Sequence, residues 1–403
     1  MVDAAVGAGP PKRTRSIYDK EVQGVVWQVV VLAIVCAIGY YLYSNMVANL
    51  ERQNIKTGFE YLGREAGFGI GESWVEYSPA SSYARAILVG FLNTVAVAVV
   101  GVVVATIIGI SIGVASLSRN WLVAKTTSVY INFLRNIPVL LQIILWHTLI
   151  INDRFLPIPR DFLAENGPQP ILGSIYLTRR GIFLPTFEAH IGWLGALVGL
   201  LIGVVGAWML ARWAKQRMDA TGERFPAFWA GLGVLVGCAF VGWLVMGAPT
   251  TVSYPNIGRF RVSGGMTMTP EFLAVLFGLT IYTSAFIAEI VRSGILAVPK
   301  GQIEAGRAIG LKESVIMRKV ILPQALRVII PPLTSQYLNL TKNSSLAVAV
   351  GYPDLVNVSN TTLNQTGQAP EAILIMMIVY LTTSIATSLI MNWYNARIQL
   401  VER

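Results

Sequence analysis

Residues 299–311 read Pro299-Lys300-Gly301-Gln302-Ile303-Glu304-Ala305-Gly306-Arg307-Ala308-Ile309-Gly310-Leu311, and the chain runs on to Val320-Ile321-Leu322-Pro323-Gln324-Ala325-Leu326-Arg327. Pro299 stands where a helix can start. Residues 303–309 favour helix and carry small side chains at Ala305, Gly306 and Ala308. Gly310 can end that helix in a left-handed conformation. A second amphipathic stretch, 314–321, leads to Pro323. The expected unit is a helix–turn–helix with a flat small-residue surface and an acidic residue, Glu304, at one end. Such a surface suits docking of a partner.

What flanks this unit decides the fold. A nearly unbroken apolar run, 272–291, precedes it, and another, 328–350, follows it. A spanning helix needs about 20 mostly apolar residues. Further runs lie at 25–43, 87–117, 123–151, 191–213, 227–246 and 373–393, so about eight spanning helices are expected. Composition agrees. The 403 residues are 54% hydrophobic and 13% charged, against roughly 25% charged in soluble domains. With mean hydropathy of +0.59, too little polar surface is left to coat a soluble globule. Disorder and nucleic-acid binding are excluded on the same ground. Cys36 and Cys238 both sit in apolar runs and form no secreted disulfide framework.

Placement of lysine and arginine sets the orientation. With the N-terminus inside, the inner segments 1–24, 118–125, 212–226, 292–327 and 394–403 hold roughly 19 of the 31 basic residues. The outer segments 44–86, 152–190, 247–271 and 351–372 hold roughly 10. Both termini are then cytoplasmic. The net charge of +10 is largely a topology signal rather than a patch for an acidic partner. The first run, at about 19 residues, exceeds the h-region of a signal peptide and reads as a retained helix.

Four regions are expected. Residues 1–24 form a cytoplasmic tail. Residues 25–86 add an extra N-terminal helix and an outer segment, partly helical and lying on the membrane surface. Residues 87–393 form the membrane domain proper, with an inserted glycine-rich helix pair at 191–247 and the cytoplasmic loop at 294–327. Residues 394–403 form a second tail. The inserted pair has almost no polar groups and reads as lipid-facing scaffold, its small residues permitting close packing.

The 304–323 segment resembles the coupling loop of bacterial ABC importer permeases, whose pattern is EAA, three residues, G, nine residues, I, one residue, LP. Glu304, Ala305, Gly310, Leu322 and Pro323 match; Gly306 replaces the second alanine and Val320 the isoleucine. Phe133-Leu134-Arg135-Asn136-Ile137-Pro138-Val139-Leu140-Leu141-Gln142 is similar to an element of polar amino-acid permeases. So are residues 282–295, before the loop, and Lys342-Asn343-Ser344-Ser345-Leu346-Ala347 with Gly351-Tyr352-Pro353-Asp354-Leu355, after it. The long outer segment and inserted pair resemble the longer permease of general L-amino-acid uptake systems.

That resemblance implies an all-α polytopic membrane protein with the ABC importer type I permease fold, in the bacterial inner membrane. It implies a heterodimer with a second permease, two ATPase subunits below and a periplasmic amino-acid-binding protein above. The substrate would be an L-amino acid of broad polar or charged range. ATP and Mg would belong to the ATPases: this chain has no Gly-Lys dipeptide and hence no P-loop, so it is not itself an enzyme, and no metal site is expected. The coupling residues would be Glu304, Ala305, Gly306, Arg307, Ala308, Gly310, Leu322 and Pro323.

Charged groups inside spans are functional candidates by default. Arg135, Glu289 and Lys342 qualify, Lys342 most of all because Asn343, Ser344 and Ser345 follow it. Glu289 can instead pair with Arg292 one turn on, and Arg135 can snorkel at a helix broken near Pro138. Asn93, Gln142 and Thr283 complete the candidate pathway. His147 reads as packing, His190 as interfacial, and Trp193 and Trp243 as membrane-interface anchors. A secondary transporter is the alternative, but it calls for paired carboxylates or symmetric broken helices, and only Glu289 lies within a span. A membrane enzyme is weaker still, since the chain has no HExxH or GxSxG element.

Overall fold

The structure, a computed structural model, describes residues 20–53, 57–152, 173–257 (apart from 179, 189, 191 and 224) and 262–398. Most of the expected N-terminal tail, the first half of the second outer loop and the end of the C-terminal tail lie outside the described residues.

The chain begins with α1 (Lys20–Arg52), apolar on every side. A strap, residues 57–82, contains one 3-10 turn, Phe59–Gly63. Then come α2 (Tyr83–Ala115), α3 (Trp121–Arg135) and α4 (Val139–Ile151). Short strands β1 (Tyr176–Thr178), β2 (Gly181–Leu184) and β3 (Thr186–Phe187) precede α5 (Gly192–Thr221) and α6 (Ala227–Val245). Strands β4 (Val252–Ser253), β5 (Asn256–Ile257), β6 (Val262–Ser263) and β7 (Met266–Met268) lead into α7 (Pro270–Leu296). The remainder is α8 (Lys300–Ala308), α9 (Glu313–Ile316), a π-helical turn Met317–Ile321, α10 (Leu322–Asn343), a 3-10 segment Ser344–Val350, α11 (Leu355–Thr366) and α12 (Ala369–Ile398).

Six described helices are long and apolar enough to cross a membrane, or seven if the bent pair α3 and α4 counts as one span. The expected eighth, at 328–350, is not among them. Its run is shared between α10 and the 3-10 segment, and Thr334, Gln336, Asn339, Thr341 and Lys342 lower its hydropathy. At 22 residues α10 is still about 33 Å long. The third span is broken where Pro138 follows Ile137, because the residue before proline is pushed out of the helical region. The two halves meet at 103°.

Glycines set the tightest approaches. On α2, Gly109 and Gly113 lie one turn apart and face α7: a Cβ at Gly109 would stand 2.6 Å from Ile287 Cβ, and one at Gly113 2.7 Å from the Ala288 carbonyl oxygen. The inserted pair closes the same way, with a Cβ at Gly199 falling 2.2 Å from the Cys238 carbonyl oxygen. Small residues thus give close helix contact, as expected of this pair. The main core joins α2, α4, α7 and α10 through Val97, Ile143, Leu279, Ile287, Ile329 and Leu340. A second cluster packs the strap onto α2 and α11, with Tyr61 fully buried. The strap therefore rests on the helix bundle, where a membrane-surface segment was expected.

The segments before α5 and before α7 hold small antiparallel sheets, ordered β1-β2-β7, β3-β4 and β5-β6. They were not anticipated: proline and glycine density reads as loop, and strands of two to four residues carry no periodicity to detect.

Candidate functional site

The loop between α7 and α10 forms the expected helix–turn–helix. Leu311 N–H donates to the Gly306 carbonyl at 3.1 Å and Gly310 N–H to the Arg307 carbonyl at 2.9 Å, the paired bonds of a Schellman stop. Gly310 takes φ +76°, which only glycine adopts without strain. The chain then doubles back, so that Gly306 lies against α9. A Cβ there would stand 3.1 Å from Ile316 Cγ1. Arg307 Nε donates to Glu313 Oε1 at 2.7 Å, bracing the turn, and lowers the Glu313 carboxyl below its usual value. Gln324 donates to Gln302, joining α10 to α8. The result presents Glu304, Ala305, Arg307, Ala308 and Gly310 on one exposed face, with Leu322 exposed and Pro323 half-buried where α10 begins.

The candidate pathway residues divide. Arg135, Glu289 and Arg292 come together toward the C-terminal end of α7. Arg292 grips Glu289 bidentately, Nη2 to Oε1 at 2.7 Å and Nε to Oε2 at 3.1 Å. Arg135, the last residue of α3, lies 4.0 Å from Glu289 and stacks over the Phe286 ring at 5.1 Å. Lys342 is exposed in the last turn of α10, at the opposite end, with Asn343 beside it. Ser344 and Ser345 donate to the Thr341 and Lys342 carbonyls, each at 2.7 Å, where α10 tightens into 3-10. Thr283 is buried beside Ser284, whose hydroxyl bonds that of Tyr130 at 2.8 Å.

Asn93 and Gln142 serve the backbone. Gln142 Nε2 donates to the Leu134 and Ile137 carbonyls at 3.0 and 3.1 Å, satisfying acceptors that the break frees. Asn93 is fully buried and its amide donates to the Glu72 and Pro353 carbonyls, both at 2.9 Å. His147 Nε2 lies 3.9 Å from Glu271, so the packing expected of it includes an acidic neighbour.

Two features escaped the sequence reading. Lys125, Ser128, Asn132 and Asn136 line a groove of about 460 Å³ along α3, with Asn136 donating to the Asn132 carbonyl and Asn132 to the Ser128 hydroxyl. Their three- and four-residue spacing was a legible signal. Glu72 and Asp354, buried acids in the strap and before α11, had none, because their burial is purely tertiary.

Known proteins resemble this chain closely. A family profile described as binding-protein-dependent transport system inner membrane component matches residues 225–400. The general L-amino acid transport system permease protein AapQ of Rhizobium johnstonii is 46% identical over 96% of this chain and 95% of its own length. The putative amino-acid ABC transporter permease protein YhdX of Escherichia coli is 42% identical over 94% and 95%. The glutamate/glutamine/aspartate/asparagine transport system permease protein BztB of Rhodobacter capsulatus is 41% identical over 99% and 100%. Among solved structures, an amino acid ABC transporter crystallised with histidines aligns with a TM-score of 0.45 at 19% identity, covering 78% of this chain and 95% of that one.

Proposed function

The chain belongs to the family of binding-protein-dependent transport system inner membrane components, and from that premise we propose that it moves L-amino acids of broad polar and charged range inward by alternating access, driven by separate ATPase subunits. As a permease subunit it is non-catalytic. ATP and its Mg belong to the ATPases. The membrane domain is 87–393, both termini are cytoplasmic, and a second homologous permease completes a heterodimer. A periplasmic binding protein delivers substrate to the outer end.

The observation that carries this reading is the exposed small-residue face of α8 between Glu304 and Gly310. A nine-residue helix braced from behind by Arg307–Glu313 and Gly306–Ile316 can transmit a push without folding up. Glu304 makes no ion pair within the described residues and is free to meet a basic residue of the ATPase. The route for substrate then joins two polar ends, the Lys342–Ser345 turn outside and the Arg135–Glu289–Arg292 group inside, and continues from Arg135 along the polar stripe of α3. These charges give a zwitterion partners of both signs.

Uptake of radiolabelled amino acids by cells that depend on this system tests the reading. Glu304→Lys should abolish uptake while leaving the permease in the membrane. Full uptake with Glu304→Lys would overturn it, whereas His147→Ala should retain most activity.

A further inference from the structure

The hairpin of α5 and α6 packs on itself and makes no comparable contact with another helix of the described residues. Gly195, Gly199 and Gly203 turn toward α6, where Cβ atoms would meet Gly242, Cys238 and Leu235. On the opposite side of α5 runs a stripe set by spacings of three and four residues: Leu197, Leu201, Val204, Trp208, Arg212 and Lys215. All six are exposed. α5 is long and apolar enough to cross a membrane, so the apolar part of the stripe meets lipid tails and the basic part meets the headgroup layer. Arg212 lies about 16 Å beyond Leu201 along the helix, close to half the thickness of the hydrocarbon core.

The cations of this stripe are presented rather than neutralised. Arg212 lays its guanidinium over the Trp208 ring at 4.4 Å. Stacking occupies the face of that group and leaves the N–H donors at its rim open. Lys215 stands one turn on, a neighbour on the same face. Neither pairs with a carboxylate among the described residues, and Asp219, one turn past Lys215, makes no ion pair there either. Arg217 supplies the contrast. It stacks on Trp213 at 5.6 Å, but Glu223 holds its Nη2 at 2.8 Å. Two arginines of one helix thus share an aromatic seat, and only Arg212 keeps its donors free.

A cation pair at the lipid boundary, with an apolar track leading away from it, matches an amphiphile with an anionic head. A phosphodiester accepts bidentately from the rim of a guanidinium, and basic residues near the surface strengthen attachment to anionic lipid. We propose that Arg212 and Lys215 bind the phosphate of an anionic phospholipid whose acyl chain lies along Trp208, Val204 and Leu201. The lipid covers a face of the hairpin that no other helix of the described residues covers, and it fixes the depth of α5 in the membrane.

Native mass spectrometry of the full chain released from detergent micelles tests this, with dioleoyl phosphatidylglycerol and dioleoyl phosphatidylcholine titrated side by side. Wild type should retain phosphatidylglycerol at about tenfold lower concentration than phosphatidylcholine. The preference should shrink as ammonium acetate is raised. Arg212→Gln should lose most of it, and Arg212→Gln with Lys215→Gln all of it, whereas Arg212→Lys should keep the larger part. Arg217→Gln removes the same charge from the same helix and should keep the preference intact. Equal binding of the two lipids by wild type, a preference that survives in the double variant, or equal losses in Arg212→Gln and Arg217→Gln would each overturn the site. Displacement of phosphatidylglycerol by millimolar inorganic phosphate would overturn it too, because it would mark a site for soluble anions.

Discussion

Gly306 and Gly310 show how much a single position decides in the turn between α8 and α9. Gly306 has room for a methyl only if Ile316 yields by a few tenths of an ångström. Gly306→Ala should therefore be nearly neutral, which fits the alanine of the family pattern. Gly306→Leu should force α8 off α9 at about 1–3 kcal/mol of local overpacking. Gly310→Ala should cost about 1–2 kcal/mol, since a side chain at φ +76° is strained, and Gly310→Asn should cost less. Limited trypsin digestion at Arg307 and Lys312 reads all three: faster cleavage in Gly306→Leu and Gly310→Ala, and near-wild-type rates in Gly306→Ala. At the inner end, Glu289→Gln would leave Arg135 and Arg292 facing each other without their shared anion. The group is partly exposed, so the stability loss should stay on the order of 1 kcal/mol while uptake falls sharply. Comparing melting temperature with uptake for that variant separates the two effects.

Among the elements, α5 and α6 form a hairpin held by glycine. Gly199→Leu would drive a side chain into the Cys238 carbonyl and split the pair. Cross-linking between cysteines placed on α5 and α6 should fail in that variant, while trypsin accessibility of α8 stays unchanged. The hairpin and the coupling loop were both legible in the sequence because each is local: a glycine period in one, and a start, stop and proline within about two dozen residues in the other. The span at 328–350 was less legible. Its apolar residues Ile329, Leu333 and Leu340 form the side of α10 that faces the core, while its polar residues are half-buried or exposed, Tyr337 among them meeting the Thr106 hydroxyl at 3.0 Å. Asn93 and Gln142 looked like pathway groups because a polar residue in an apolar run is conspicuous. That each satisfies carbonyls freed by a turn or a break is visible only once the chain is folded. Glu72 lies beyond any sequence signal, since its partner Thr269 is 197 residues away.

Over the whole molecule, the end that carries the strap holds buried acids and the end that carries α8 holds exposed ion pairs. The two ends should answer pH oppositely. Glu72 and Asp354 are each pushed by burial to about 7, so their contribution is present at low pH and lost as pH rises through that value. Arg307 lowers Glu313 below the usual carboxylate range, so that brace is present at neutral pH and lost only as pH falls into the acid range. Thermal unfolding of the purified chain should show a higher melting temperature at pH 5.5 than at pH 8, and Asp354→Asn should flatten part of that difference. At the other end, we propose that α8 is where a separate ATPase engages this permease. Affinity purification of tagged chain from native membranes in mild detergent, followed by mass spectrometry, tests it directly. Wild type should bring down a second permease and a P-loop ATPase, and Glu304→Lys should keep the permease and lose the ATPase. A chain that purifies alone in both forms, or an ATPase that stays with Glu304→Lys, would contradict it.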